Sequence, residues 1–160
     1  MKKLISILGV LVLGYFILPS LSSAQHQHGG MSMGATMKMD KRTVIVEGVK
    51  VTFEFMANED HRAMLKSMKM KEDIEPGTTH NITVTLNDET TQKVITDAQV
   101  NMKVIDPKGK DQVKTMTYDD MMNNFSAYFN LPEKGEYQVI ILFKRGDKKP
   151  AHAGVYYEVK

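Results

Sequence analysis

Residues 25–40 read QHQHGGMSMGATMKMD and set His26 and His28 beside Met31, Met33, Met37 and Met39 among glycine, serine and alanine. Imidazole serves many transition metals, whereas thioether is a soft donor that favours Cu(I) over the harder divalent ions. No amphipathic period runs through the stretch, so packing does not account for its methionines. Its Gly and Ser content predicts a disordered, flexible arm whose donors are free to close around one ion. The plain alternative is a biased linker whose methionines do nothing. The N-terminal chemistry depends on processing. Cleavage after Ala24 exposes Gln25, whose amine can cyclise, whereas trimming to His26 leaves an amine, His26 and His28 spaced to wrap Cu(II).

A second donor set lies in residues 57–71. His61, Met64, Leu65 and Met68 recur at i, i+3, i+4 and i+7, with Glu59 and Asp60 early and Lys66, Lys69 and Lys71 late, which predicts a short helix. With Met56 before it and Met70 after it, this face makes a second soft site. The same stripe also reads as the buried side of a helix, with methionine filling gaps. His61 speaks for the ligand reading, because an imidazole facing the core must find a partner. His80 shares strand parity with Ile82, Val84 and Leu86, so it points inward at the rim. It is either a hydrogen-bonded rim histidine or a ligand working with residues 56–70. Met116, Met121 and Met122 surround Tyr118-Asp119-Asp120, as a loop cluster or as a turn packed under the sheets. His152, in an expected turn, receives no role.

Catalytic chemistry finds little footing. The chain has no His-Glu-x-x-His, nucleophile elbow, phosphate loop or dinucleotide fingerprint. It has no cysteine, which removes thiol nucleophiles and thiolate metal sites. Asp119 and Asp120 adjoin, and adjacent side chains point apart, so they make a poor acid/base pair. The expectation is a protein that is not an enzyme and whose metal chemistry uses His, Met, carboxylate or backbone oxygen.

The leader places the protein. Met1-Lys2-Lys3, the apolar run Leu4 to Leu18 and Ser22-Ser23-Ala24 read as a secretory signal peptide over residues 1–24, with an uncleaved anchor as the rival. Gln25, in place of a cysteine, argues against a lipoprotein. Cleavage leaves 136 of the 160 residues, one domain's worth of chain. Loss of Lys2 and Lys3 reduces the 21 basic residues to 19, equal to the 19 acidic ones. A near-neutral domain gives no reason to expect nucleic acid or insertion in a membrane after cleavage. The expected setting is periplasmic or extracytoplasmic.

From Thr43 onward the sequence must build the frame for these donors, and it reads as strands. Val44 and Val46 precede Glu47-Gly48. Val49, Val51, Phe53 and Phe55 then alternate with polar residues. After the helix, inward faces follow at Ile82–Leu86, Val100–Val104, Phe125–Leu131, Tyr137–Phe143 and Val155–Val159, separated by turn residues such as Asp106-Pro107-Lys108-Gly109. Ile140 and Leu142 are apolar on the second face of their strand, which predicts a central position or cover there. Seven or eight strands at this spacing predict an all-β, immunoglobulin-like two-sheet sandwich with one short helix. In Gly135-Glu136-Tyr137-Gln138-Val139 the tyrosine stands where such sandwiches place a tyrosine corner.

The stretches HNITVTLNDETTQKVITDAQVNMKVIDPKGKDQVKTM and FSAYFNLPEKGEYQVIILFKRGDKK resemble the YtkA-like domain over about residues 80–160. The resemblance implies an exported sandwich linked with metal handling or respiratory-complex assembly, and it carries over no catalytic residue. VEGVKVTFEFMANEDHRAMLKSMKM is similar to the Met- and His-rich portion ahead of that domain in some relatives. Copper carriers of the CopC-like type share the sandwich plan and His/Met ligands, but their mature start does not align with QHQHGGMSM. The organisation expected is thus a leader (1–24), an arm (25–42) and a sandwich (43–160). The expected cargo is copper, as Cu(I), with Cu(II) an option at the N-terminus. A membrane transporter or respiratory complex is the expected partner, and a methionine-surfaced accessory module for such a complex is the alternative function. A carrier of iron or another divalent ion would be expected to show fewer methionines and more carboxylates.

Overall fold

The computed structural model describes residues 39–160. The leader and the arm up to residue 38, with His26, His28, Met31, Met33 and Met37, lie outside the described residues, whereas residues 39–42, also expected in the arm, are part of a strand. Among the described residues no helix is long and apolar enough to cross a membrane.

Strands β1 (Met39–Val46) and β2 (Val49–Ala57) form a hairpin whose pairing closes at Val46 and Val49. Glu47 and Gly48 both take positive φ, 49° and 72°, which is the two-residue turn that matches strand twist. Helix α1 (Asn58–Ser67) follows directly. Then come β3 (His80–Asp88), β4 (Ala98–Ile105), β5 (Asp111–Thr115), β6 (Thr117–Asp119), β7 (Asn124–Phe129), β8 (Gly135–Arg145) and β9 (Ala151–Val159). One sheet has the order β1-β2-β3-β7-β6 and the other β5-β4-β8-β9, with every neighbouring pair antiparallel. The two-sheet, all-β expectation with a single short helix holds.

Several elements differ from the sequence reading: the helix is confined to Asn58–Ser67, and β9 begins at Ala151, so that His152 lies in a strand and not in a turn. β1 begins at Met39, not Thr43, because pairing from Met39–Met56 to Arg42–Phe53 is made by the backbone. Asp40, Lys41 and Arg42 occupy an edge with polar side chains, so they carry no apolar alternation to betray a strand. β5 and β6 are also edge strands, too short and too polar to announce themselves. Met116, between them, is not part of a loop cluster. It is buried where the chain passes from one sheet to the other, and its N–H donates to Val100 O at 2.8 Å.

The core lies between the inner faces. Val51, Phe53, Ile82, Val84 and Leu86 of the larger sheet meet Met102, Val104, Val139 and Ile141 of the smaller, all without solvent exposure. Full burial of one such side chain is worth about 1.5–3 kcal/mol against the chain entropy it must offset. Phe55 stacks on Tyr157 of the opposite sheet with centroids 4.2 Å apart and planes 3° from parallel. β8 lies between β4 and β9 as expected, yet Leu142 remains half-exposed, so that outer face is open.

The tyrosine corner is present. Tyr137 is fully buried, its hydroxyl accepts from Glu133 N–H at 2.9 Å, and it donates to Glu133 O at 3.0 Å. This ties the loop after β7 to the start of β8. Replacing Tyr137 by Phe removes both bonds and leaves two backbone groups without partners. Denaturant unfolding is expected to show a loss of about 1–3 kcal/mol with an unchanged m-value.

Candidate metal-binding groove

Successive side chains on a strand point to opposite faces, so the residues between the core positions of the larger sheet face outward. Cross-strand pairing sets Met39, Met56, Asn81 and Tyr128 in one row across β1, β2, β3 and β7. The next row holds Lys41, Glu54, Thr83, Ser126 and Thr117. Helix α1 and the segment after it form a wall over this face, leaving a groove of about 660 Å³.

The wall is built locally. Glu59 and Asp60 occupy the first turn of α1, where anions are favoured, and Asn58 Nδ2 donates to Thr78 Oγ1 at 2.9 Å. At the other end Lys69 takes φ 56°, its N–H donates to Lys66 O at 3.1 Å, and Met70 N–H donates to Leu65 O at 2.9 Å. That is a Schellman motif, which reverses the chain and brings the residue after the left-handed position back against the helix. Met70 therefore lines the groove with Leu65. Met68, at the cap, is turned out and 48% exposed.

His61 projects from α1 and is buried. Its Nδ1 lies 3.3 Å from Tyr128 Oη, and that hydroxyl donates to Asp73 Oδ1 at 3.1 Å. Burial holds the His61 imidazole below its ordinary value, with the Asp73 charge opposing, so the ring is neutral at pH 7. Burial first, and then the charge and hydrogen bond of Asp73, push the Tyr128 hydroxyl far above the usual tyrosine range. The site thus offers a neutral imidazole and thioethers, the forms that bind metal.

Six of the nine methionines in the described residues line this groove: Met39, Met56, Met64, Met70, Met121 and Met122. They do not form one cluster. Met121 and Met122 lie in the β6–β7 turn, where their N–H groups donate to Asp119 Oδ1 at 2.8 and 3.1 Å. From Tyr128 to Asn124 is four residues of strand, on the order of 13 Å, so this pair belongs to the far end. Five carboxylates (Glu54, Asp73, Glu75, Asp119, Asp120) and two lysines line the groove, with Glu54 paired to Lys41 and Glu75 to Lys114. Among the described residues no three His, Asp or Glu side chains come together as a metal cage.

Of the donors singled out in the sequence, Met39, His61 and Met64 line this groove, and Met68 and His80 do not. His80 sits across from Phe129 on the inner face, its ring edge-on to Tyr157 at 5.9 Å and its Nδ1 2.9 Å from Thr79 Oγ1. Strand parity separates it from Met56, whose neighbour on β3 is Asn81. His80 is thus a hydrogen-bonded histidine at the rim of the inner face, paired through the backbone with Ala57 and away from the outer groove. Met39 belongs to β1 instead of the arm. Glu54, Asp73 and Tyr128 went unmarked in the sequence, although Tyr128 alternates out of phase with Phe125 and Phe129.

Two antiparallel sheets closed over one core, with a helix and a groove on the outside of one sheet, define the class as a small β-sandwich. Its likeness to solved structures is to two of FetP from uropathogenic Escherichia coli, one as isolated after expression in the periplasm and one of a copper-bound variant. Both have a TM-score of 0.58, at 9% and 10% identity, covering 76% of this chain and 96% and 97% of theirs. A DUF4426 family protein from Pseudomonas aeruginosa has a TM-score of 0.55 at 11% identity, covering 74% of this chain and 94% of its own. At these identities the likeness is one of fold. No protein-family model, the YtkA-like one included, and no curated protein matches the chain.

The buried His61 and the half-buried His80 make stability depend on pH. Burial lowers the affinity of both His61 and His80 for a proton in the folded state, whereas the unfolded chain takes it up near pH 6.5. Their contribution is complete above that value and is lost as pH falls from 6.5 toward the folded-state values. NMR titration of the ring protons is expected to place both midpoints below 6.5, and urea unfolding is expected to show lower stability at pH 5.5 than at pH 7.5.

Proposed function

We propose that this chain is an exported, non-catalytic copper carrier that holds Cu(I) through thioether and imidazole donors in the outer groove of its larger sheet. The observation that supports the reading is that Met39, Met56, Met64 and Met70, from two strands, a helix and the turn after it, line one groove together with His61. Met102 and Met116 show that this fold buries methionine in its core when packing requires it. The groove methionines belong to the outer side of the larger sheet, Met56 buried there under the helix side, Met64 and Met70 half-buried and Met39 exposed. Soft donors without a carboxylate cage favour Cu(I) over iron or zinc. Weak, replaceable thioether bonds also suit a carrier, since a partner can take the ion ligand by ligand. His26, His28, Met31, Met33 and Met37 supply a second donor set, for capture or relay, and a trimmed N-terminus would add a Cu(II) site.

The signal-like leader supports an extracytoplasmic setting, and the copper-bound FetP neighbour is consistent with the metal. On this reading the YtkA-like resemblance of residues 80–160 reflects shared membership of a broad group of exported sandwiches. The receiver would be a membrane transporter or respiratory complex.

A second reading has its own observation. Leu142 and Tyr156, 47% and 59% exposed, stand on the outer face of the smaller sheet, where an accessory module would dock on a membrane complex. The two readings separate by experiment. Anaerobic competition with a chromophoric Cu(I) chelator is expected to show tight binding by residues 25–160, and a Met39/Met56/Met64 to Leu variant is expected to weaken the groove component at least tenfold, about 1.4 kcal/mol. A variant lacking residues 25–38 should keep that component. Unchanged copper affinity in the leucine variant removes the groove from the mechanism. Capture of a membrane complex that survives both the leucine changes and metal removal favours the docking module.

A further inference from the structure

The copper reading says which side chains surround the ion but not which nitrogen of His61 faces it. The hydrogen bonds behind the ring decide this. A carboxylate has only acceptors, and a tyrosine hydroxyl has a single proton to give. With Asp73 Oδ1 at 3.1 Å from Tyr128 Oη, that proton is committed to the carboxylate. The opposite arrangement would set two oxygen lone pairs against each other at that distance. What remains on Tyr128 Oη is acceptor capacity, and the atom that faces it is His61 Nδ1 at 3.3 Å. Nδ1 must then carry the ring proton. Nε2 keeps its lone pair and makes no hydrogen bond among the described residues.

We propose that Tyr128 and Asp73 are positioning residues that hold His61 in the Nδ1–H tautomer, so that Nε2 is the nitrogen presented to a soft cation in the groove. The proposal rests on the metal reading of that groove. The three residues come from β7, the segment after α1, and α1, so the chain of bonds also fixes where the helix stands over the sheet. Tyr128 lies in the same cross-strand row as Met39 and Met56, with Asn81 between. His61 is thereby anchored over the row that carries the floor methionines. A carboxylate behind the ring, acting through the phenol, raises the donor strength of Nε2, and such outer partners are typically worth 10–100-fold in metal affinity. The neighbouring anchors are consistent with this role. Arg62 pairs with Glu72 at 2.6 Å and Glu75 with Lys114 at 2.7 Å, which brackets Asp73 on both sides of its segment.

The test begins with metal-free protein, residues 25–160, labelled with ¹⁵N. Long-range ¹H–¹⁵N correlation of the imidazoles, with His61 assigned through His61→Gln, is expected to show a protonated Nδ1 and a bare Nε2. Tyr128→Phe should shift the ring toward the Nε2–H tautomer while the backbone spectrum stays that of the folded domain. Asp73→Asn, which can donate to the phenol, should do so as well. Ag(I), a diamagnetic stand-in for Cu(I), is then added. Its perturbation is expected on Nε2 in the parent, and its affinity is expected to fall about tenfold in Tyr128→Phe. A parent ring protonated on Nε2, or a tautomer that neither substitution moves, overturns the positioning role even if Ag(I) binds. An Nδ1–H ring that ignores Ag(I) overturns the metal reading of the groove and this role with it.

Discussion

The constraint on which the rest depends is the register of the larger sheet, fixed by burial of its inner face. Val51, Phe53 and Phe55 on β2 and Ile82, Val84 and Leu86 on β3 are essentially removed from water. A slip of one residue would send that whole set to solvent. Because the inner face is held so firmly, the outer face is determined with it. Met56 must neighbour Met39 on one side and Asn81 on the other, and Asn81 must neighbour Tyr128. The hydrophobic core therefore places the outer row as surely as it places itself, and it does so with no disulfide to help.

Over that row the helix is held by polar and local devices. Asn58 is bonded to the strand-entry residues, with its N–H on Thr79 O at 2.8 Å and its side chain on Thr78. The Schellman reversal at Lys69 returns the chain so that Met70, Asp73 and Glu75 edge the groove. Only His61 and Leu65 of the apolar stripe are buried, Met64 is half-buried and Met68 is free. Met64 thus stands at the border between protein and water, and Met68, at the cap, lies beyond the packed turn.

The chemistry follows from the donor types. Burial keeps His61 neutral, and a neutral ring is a ligand where a protonated one is not. Carboxylates line the groove, Glu54 and Glu75 in ion pairs with Lys41 and Lys114, and among the described residues they do not cluster into a cage for a hard ion. The same separation that keeps Met121 and Met122 away from His61 gives the groove two ends, one with imidazole and one without. The FetP likeness covers the frame that carries this arrangement, at an identity too low to bear on any single donor.

Much of the frame is legible in the chain itself. Alternation in β2, β3, β4, β8 and β9 names the buried face, Glu47-Gly48 names the hairpin turn, and Tyr137 names the corner, because period-two burial and turn chemistry are local properties. The onset of β1 at Met39 and the short edges β5 and β6 escape, since backbone pairing there is unaccompanied by apolar side chains. The donors divide in the same way. His61 and Met64 declare themselves by helical spacing, whereas Met39 reads as part of an arm, and Met56 and His80, at the two ends of the connection that carries the helix, fall on opposite faces of one sheet. The sequence by itself determined that soft donors exist in a thiol-free chain and that a two-sheet sandwich must carry them. Only the tertiary structure decided which of them meet. Asp73, Tyr128 and His61 lie up to 67 positions apart, and their hydrogen bonds exist because three elements converge there, which no local period records.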